Sequence, residues 1–97
     1  MRYEIEFAPE AAQDYRSLKA HARAIVRDGI ESHLRHEPMK ISKSRIRRLR
    51  GLCCPRYRLR LGDLRVFYDV AGSTVQILAI VEKSGAHEWL ERYGEKS

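Results

Sequence analysis

Tyr57-Arg58-Leu59-Arg60-Leu61-Gly62-Asp63-Leu64-Arg65-Val66-Phe67-Tyr68-Asp69-Val70 alternates apolar and polar residues on both sides of a Gly-Asp pair. Strict alternation is the signature of a strand with two unlike faces. A two-residue connection with glycine first suits a type II′ hairpin turn. If Leu61 pairs with Leu64, then Arg60 lies opposite Arg65, Leu59 opposite Val66, Arg58 opposite Phe67 and Arg56 opposite Asp69. Paired residues share a face. One face therefore carries Tyr57, Leu59, Leu61, Leu64, Val66, Tyr68 and Val70. The other carries Arg56, Arg58, Arg60, Arg65, Phe67 and Asp69.

Downstream, a second hairpin turning at Gly72-Ser73 predicts a strand over Thr74–Glu82. Continued alternation adds Val75, Ile77, Ala79 and Val81 to the apolar face, and Gln76, Leu78, Ile80 and Glu82 to the other. Ser84–Tyr93 reads as a short helix with a charged end. Upstream, Ile46–Arg50 reads as a short strand and Gly51–Pro55 as a turn. At the N-terminus, Tyr3, Ile5 and Phe7 alternate with Arg2, Glu4 and Glu6, as in a strand. Pro9 suits the first turn of a helix, and Glu10 complements its dipole. Ala12, Tyr15 and Leu18 form that helix's stripe; Ala22, Ile25, Val26, Ile30 and Leu34 form the next one's. Gly29 weakens the second helix by about 1 kcal/mol relative to alanine, and Pro38 ends it. Residues 41–44 read as a linker. The fold class expected is α+β: an N-terminal strand, a two-helix hairpin, an antiparallel meander of three to four strands, and a short C-terminal helix. The helices should cover the apolar face and leave the arginine face open.

Ninety-seven residues give room for one domain, spanning 1–97. Hydrophobic residues at 43% and charged residues at 33% place the chain among globular rather than disordered sequences. No apolar run reaches the ~20 residues of a bilayer span, and Met1-Arg2-Tyr3-Glu4 lacks a secretory signal's apolar stretch. A cytoplasmic protein with no membrane role is the expectation. Cys53 and Cys54 are adjacent, which disfavours a disulfide between them, and no second pair completes a zinc site. They read as reduced thiols in a loop, and no metal or cofactor is expected.

The net charge of +6 points to a polyanionic partner. Ten Lys or Arg lie between Lys40 and Arg65 (Arg45, Arg47, Arg48, Arg50 and Arg56 among them) against one acid, Asp63. A solvated surface mixes signs, so this run reads as a functional patch for RNA, DNA or an acidic protein segment rather than as a solubility face. Arg60 opposite Arg65 is unfavourable unless an anion neutralises the pair. That anion is either external or supplied by Asp69, Glu82 or a helix carboxylate.

The Tyr57–Val70 hairpin, its lead-in Leu49-Arg50-Gly51-Leu52, and the late Ile80-Val81-Glu82-Lys83-Ser84 before a short helix resemble the RelE/ParE toxin superfamily. With the N-terminal strand and helical pair, the resemblance covers nearly the whole chain. It implies a toxin of a type II toxin–antitoxin system, held inactive by an antitoxin encoded beside it. The RelE branch implies an endoribonuclease that cuts messenger RNA in the ribosomal A site. Other branches imply inhibitors of DNA gyrase with the same fold and no cleavage residues.

Metal-free RNA cleavage requires deprotonation of a 2′-hydroxyl, stabilisation of a dianionic phosphorane and protonation of the departing 5′-oxygen. The resemblance places Arg58, Arg60 and Arg65 at the family's basic positions, with Arg65 on the scissile phosphate and Arg60 as its partner. Arg58 stands where lysine is common; it keeps the charge but is a poor base, since arginine does not lose its proton. Lys83 matches a basic position at the end of the last strand, but Ser84 follows where the ribonuclease pattern has a second basic residue. His87 is a candidate for the missing proton transfer. Tyr93, like His87, is a candidate for the C-terminal aromatic or histidine that assists in the family and for RNA contact; Trp89 between them is a candidate for base stacking, though a tryptophan beside Leu90 is more often a core anchor. Glu82 reads as a base or as a salt-bridge partner of Arg65. His21, His33 and His36 carry no assignment.

Three roles are compatible with these residues: a ribosome-dependent ribonuclease, a gyrase-directed toxin, or a non-catalytic partner acting with the antitoxin at operator DNA. Each carries an antitoxin whose acidic, amphipathic segment covers the helices and reaches the arginine face.

Overall fold

The alternation at the N-terminus becomes strand β1 (Glu4–Phe7) in a computed structural model that describes residues 1–97. Pro9 occupies the first turn of α1 (Pro9–Ser17), where its missing N–H costs nothing. Helix α2 (Ala20–His33) follows directly and stops short of Pro38. Then come β2 (Ile46–Arg48), β3 (Leu52–Cys54), β4 (Tyr57–Leu61), β5 (Leu64–Ala71), β6 (Thr74–Glu82), α3 (Lys83–Tyr93) and β7 (Glu95–Lys96). Five strands form one sheet in the order β1-β6-β5-β4-β2, with β1 parallel to β6 and every other pair antiparallel. The expected α+β architecture holds.

The central hairpin has the register derived from its turn: Leu61 pairs with Leu64, Arg60 with Arg65, Leu59 with Val66 and Arg58 with Phe67. Gly62 adopts φ +60° and no non-glycine residue has a positive φ, so Asp63 does not. That combination defines type II′ and excludes I′.

The second hairpin departs from simple alternation. Phe67 pairs with Ala79, but Tyr68 pairs with Ile77, so Leu78 is an extra residue in β6. A bulge of this kind shifts every later side chain to the opposite face. Ile80, assigned above to the arginine face, instead pairs with Val66 and belongs to the core at 5% exposure. Ala79 and Val81, assigned to the apolar face, lie on the arginine side opposite Phe67 and Arg65. Glu82 moves opposite Leu64, across the sheet from Arg65, and no Glu82–Arg65 salt bridge forms.

The helical pair covers the apolar face as expected. Ala11, Val26, Ile30 and Leu34 pack on Leu59, Leu61, Val66, Tyr68, Ile77 and Ile80 in one core. On α1 the fully buried residue is Ala11, not Ala12, and Ile25 of α2 is 39% exposed rather than part of the stripe. Gly29 has a packing reason: a Cβ there would come 2.6 Å from Cδ1 of Leu61. Edge-on to the sheet, Asp14 of α1 accepts the backbone N–H of Ile80 at 3.0 Å. Ser42 Oγ accepts the N–H groups of Arg45 and Ile46, so the expected linker is an ordered lead-in to β2.

Two features correct the sequence reading. Helix α3 lies over part of the arginine face, with Trp89 stacked on Phe67 (centroids 5.0 Å apart, 7° between planes), and Phe67 is wholly buried. That face is therefore open only where the arginines stand. The Gly51–Pro55 stretch is not simply a turn: Leu52–Cys54 is a strand that pairs with β7, and both thiols are free.

Candidate nucleic-acid interface

Strand β2 joins β4 by pairing Ile46 with Leu59, Arg47 with Arg58 and Arg48 with Tyr57. Alternation then sorts its arginines. Arg47 joins Arg58 on the arginine face, whereas Arg48 goes to the opposite side and stacks its guanidinium on Tyr57 at 5.6 Å. Just before β2, the carbonyl of Arg45 accepts the N–H of Arg60 at 2.9 Å, and Arg45 Nη1 donates to the Arg60 carbonyl at 3.3 Å. Two cationic rows result. Arg45, Arg60 and Arg65 form one, from the lead-in to β2 across β4 and β5; Arg47 and Arg58 form the next, ending on Phe67.

No carboxylate lies within ion-pair distance of any of these five arginines; Asp69 is engaged elsewhere, with its Oδ1 3.8 Å from Arg56 Nε and 2.5 Å from the Arg56 N–H. The charges therefore act on one another. Burial, then the cations Arg65, Arg47 and Arg60, hold the Arg58 pKa below the ordinary arginine value. Burial and Arg60 do the same for Arg65, partly opposed by Asp63. The Arg58 Nε is enclosed without a hydrogen-bond partner. Such crowding is unfavourable in the free protein and is relieved by an anion.

Arg65 sits deeper than the sequence suggested. It is 6% exposed, and its Nη1 donates to the carbonyls of Gly62 (2.7 Å) and Leu64 (2.9 Å), which holds it against the hairpin turn. Arg60 beside it is exposed. Lys83 starts α3 at this end of the sheet, because its N–H donates to the Asp63 carbonyl at 2.7 Å. Its side chain, Glu82, Ser84 and Asp63 line one shallow concavity.

The remaining candidates stand apart from the arginine rows. His87 points to solvent with an 89% exposed side chain and pairs with Glu91 at 2.7 Å. Trp89 is the anchor of α3 on Phe67, and Tyr93 tilts against Trp89 at 5.5 Å. Both rings border a cleft shared with Glu10, Asp14 and Glu95, carboxylates that repel a phosphate backbone. Arg48, Arg50 and Arg56 form a separate cationic cleft of about 550 Å³ at the end of the sheet remote from Gly62-Asp63. The single run of basic residues in the sequence is thus two sites in space. The structural role of Asp14 was invisible in the sequence, because its partner Ile80 lies 66 residues away.

No family model and no curated protein matches the chain by sequence. Solved structures do. The toxin RelE of E. coli, as a double mutant in the free state, superposes with TM-score 0.70 at 19% identity, over 96% of this chain and 99% of that one. The RelBE toxin–antitoxin complex of Mycobacterium tuberculosis gives 0.69 at 24% identity, over 84% and 99%. The RelE–RelB complex of Pyrococcus horikoshii gives 0.63 at 27%, over 86% and 97%. All three structures contain a RelE toxin. The chain has that toxin's fold over most of its length, as the resemblance in the hairpin implied.

Proposed function

We propose that the chain is the toxin of a type II toxin–antitoxin pair and that it cleaves messenger RNA on the ribosome. One observation carries the reading: Arg45, Arg47, Arg58, Arg60 and Arg65 stand in adjacent rows of a rigid sheet with no carboxylate to neutralise them. A phosphodiester supplies what the cluster lacks. In the reaction the 2′-hydroxyl oxygen attacks the adjacent phosphorus as its proton passes to water, the P–O5′ bond breaks, and a 2′,3′-cyclic phosphate and a free 5′-hydroxyl result. Arginines fixed on strands stabilise the dianionic phosphorane, which carries more charge than the substrate. Arg60, exposed at the centre, contacts the phosphate; Arg65 adds its charge from behind and holds the turn. Guanidinium groups do not relay protons. Lys83, an amine at the same end of the sheet, is the residue suited to protonating the 5′-oxygen.

The partner is an antitoxin, as in the RelE–RelB complexes that share this fold. A groove of about 400 Å³ between β1, α1 and α2, floored by Ile5, Phe7, Tyr15 and Ile30, suits the apolar side of an amphipathic segment. Arg16 and Arg27 at its rim suit acidic residues on that segment. No helix of the chain is long and apolar enough to cross a membrane, and the proposed site of action is the cytoplasm.

A second reading, a gyrase-directed toxin without nuclease activity, is favoured by the position of His87, which leaves the arginine rows without an imidazole. Expression in cells of wild type and Arg60→Ala, with primer extension on abundant messages and a parallel supercoiling assay, separates the two. Cuts within translated codons that vanish in Arg60→Ala support the ribonuclease. Intact messages with growth arrest and inhibited gyrase support the second reading. Growth unaffected in the absence of any antitoxin removes both, leaving a binding role with the antitoxin at operator DNA.

A further inference from the structure

The cleft of Arg48, Arg50 and Arg56 is not an extension of the arginine rows. It lies where the chain turns from β2 into β3, with the Leu49 N–H donating to the Arg56 carbonyl at 2.8 Å. Arg56 is four residues before Arg60, roughly 13 Å along the backbone at about 3.3 Å per residue, and its guanidinium is held by Asp69 and the Val70 carbonyl at the far end of β5 rather than turned toward Arg60. Within the cleft two of the three cations are held. Arg56 is tied to Asp69 and to the Val70 carbonyl (3.4 Å), and Arg48 is fixed by its stacking on Tyr57. Arg50 has no partner in the fold. Asp69 offsets one of the three charges, and a net positive concavity of about 550 Å³ remains.

We infer that this cleft is a second phosphate-binding site. Resting on the function proposed above, it takes a further phosphodiester of the same RNA strand, at a fixed distance from the one held at Arg60. Two phosphate sites that far apart on one rigid sheet make binding depend on strand length. A dinucleotide fills only the first; a longer strand fills both.

Cys53 provides a reporter, since its exposed thiol lines the cleft. The neighbouring Cys54 thiol is pushed up to about 12 by burial and Asp69, so it alkylates slowly and the rate reads Cys53. Iodoacetamide, a neutral reagent, should alkylate Cys53 several-fold more slowly with inorganic phosphate present, and Arg50→Gln together with Arg48→Gln should abolish the protection. The same substitutions should weaken binding of a long single-stranded RNA, lower its log–log salt slope by about 0.7 for each phosphate no longer neutralised, and leave dinucleotide binding unchanged. Arg50→Gln alone, which breaks no interaction within the fold, should show half of the slope change. Alkylation indifferent to phosphate overturns the site. Equal losses for the long strand and the dinucleotide overturn its separateness. Protection by phosphate with no RNA binding by the wild type keeps the site and removes the RNA reading on which its ligand rests.

Discussion

The backbone N–H of Ile80 donates a 3.0 Å hydrogen bond to Oδ2 of Asp14, joining α1 to the edge of β6. Strand β1 covers that edge only up to Ile77, where the Ala8 N–H takes the last carbonyl. Beyond it the carboxylate stands in for a missing strand. Asp14→Ala should leave a partly buried amide unpaired and cost about 1–3 kcal/mol, read as a lower urea midpoint at unchanged slope. Asp14→Asn, which still offers a carbonyl oxygen, should lose less than half of that. Equal losses in both variants would mean that the negative charge, not the acceptor, matters.

Tyr68 donates to the Pro38 carbonyl at 2.6 Å, and its ring stacks on Tyr57 at 5.5 Å. Burial first, then Tyr57, pushes its pKa above the ordinary tyrosine value. An unfolded tyrosine loses its proton near pH 10, while the folded chain keeps it. Above about pH 10 the unfolded state binds fewer protons, so stability falls as pH rises; below it the contribution is complete. Cys54, raised to about 12, acts with the same sign from the ordinary thiol range upward. Tyr68→Phe should remove the part of this alkaline loss that sets in near pH 10 and leave the Cys54 part, which begins lower, at a cost of about 1–2 kcal/mol at neutral pH for the orphaned carbonyl. Melting temperatures across pH 8–11 read both effects.

What was legible in the sequence follows from what is local. Gly62-Asp63 fixed a turn type, the turn fixed a register, and the register placed Arg60 against Arg65 from these residues alone. The bulge at Leu78 was not legible by alternation, because Ile77-Leu78-Ala79-Ile80-Val81 is apolar throughout and offers no polar residue to mark a change of face. The unbroken run carried a different message: a strand apolar on both faces is covered on both. That cover is α3, through Trp89 on Phe67, and it explains why the arginine face is only partly open. The site read as one patch because Arg47 and Arg48 are adjacent in the chain; pleating sends them to opposite sides.

Gly29→Ala sets helix propensity against packing. Alanine favours the helix by about 1 kcal/mol, yet its Cβ would press on Leu61, which is 5% exposed and has little room to move. Overpacking costs about 1–3 kcal/mol, so a net loss is expected. Adding Leu61→Ala should make the double variant more stable than the sum of the two single losses allows. Additive losses would show that the α2–β4 contact is looser than the geometry requires.

Arg65→Gln removes a buried cation that Arg60 opposes. It should raise the urea midpoint at unchanged slope, while abolishing the proposed RNA cleavage. A lower midpoint would show that the hydrogen bonds to Gly62 and Leu64 outweigh the charge. In the wild type, phosphate should raise the melting temperature more than chloride at equal ionic strength, because an anion that binds only the folded chain stabilises it. Arg60→Gln should erase only the share owed to the arginine rows, leaving the share owed to the Arg48–Arg50–Arg56 cleft.

The parallel pairing of β1 with β6 sets a clock on biosynthesis. Glu4 lies beside Thr74, seventy residues later, so the first strand made is among the last to find its partner. At about 5–20 residues per second, the interval is roughly 4–14 s of translation. Until β6 emerges, Ile5 and Phe7 have no sheet to join and Asp14 has no amide to cap. The β4–β5 hairpin that carries Arg58, Arg60 and Arg65 is completed only a few residues before β6. A nascent chain therefore lacks a finished arginine face until Ala71 has been added.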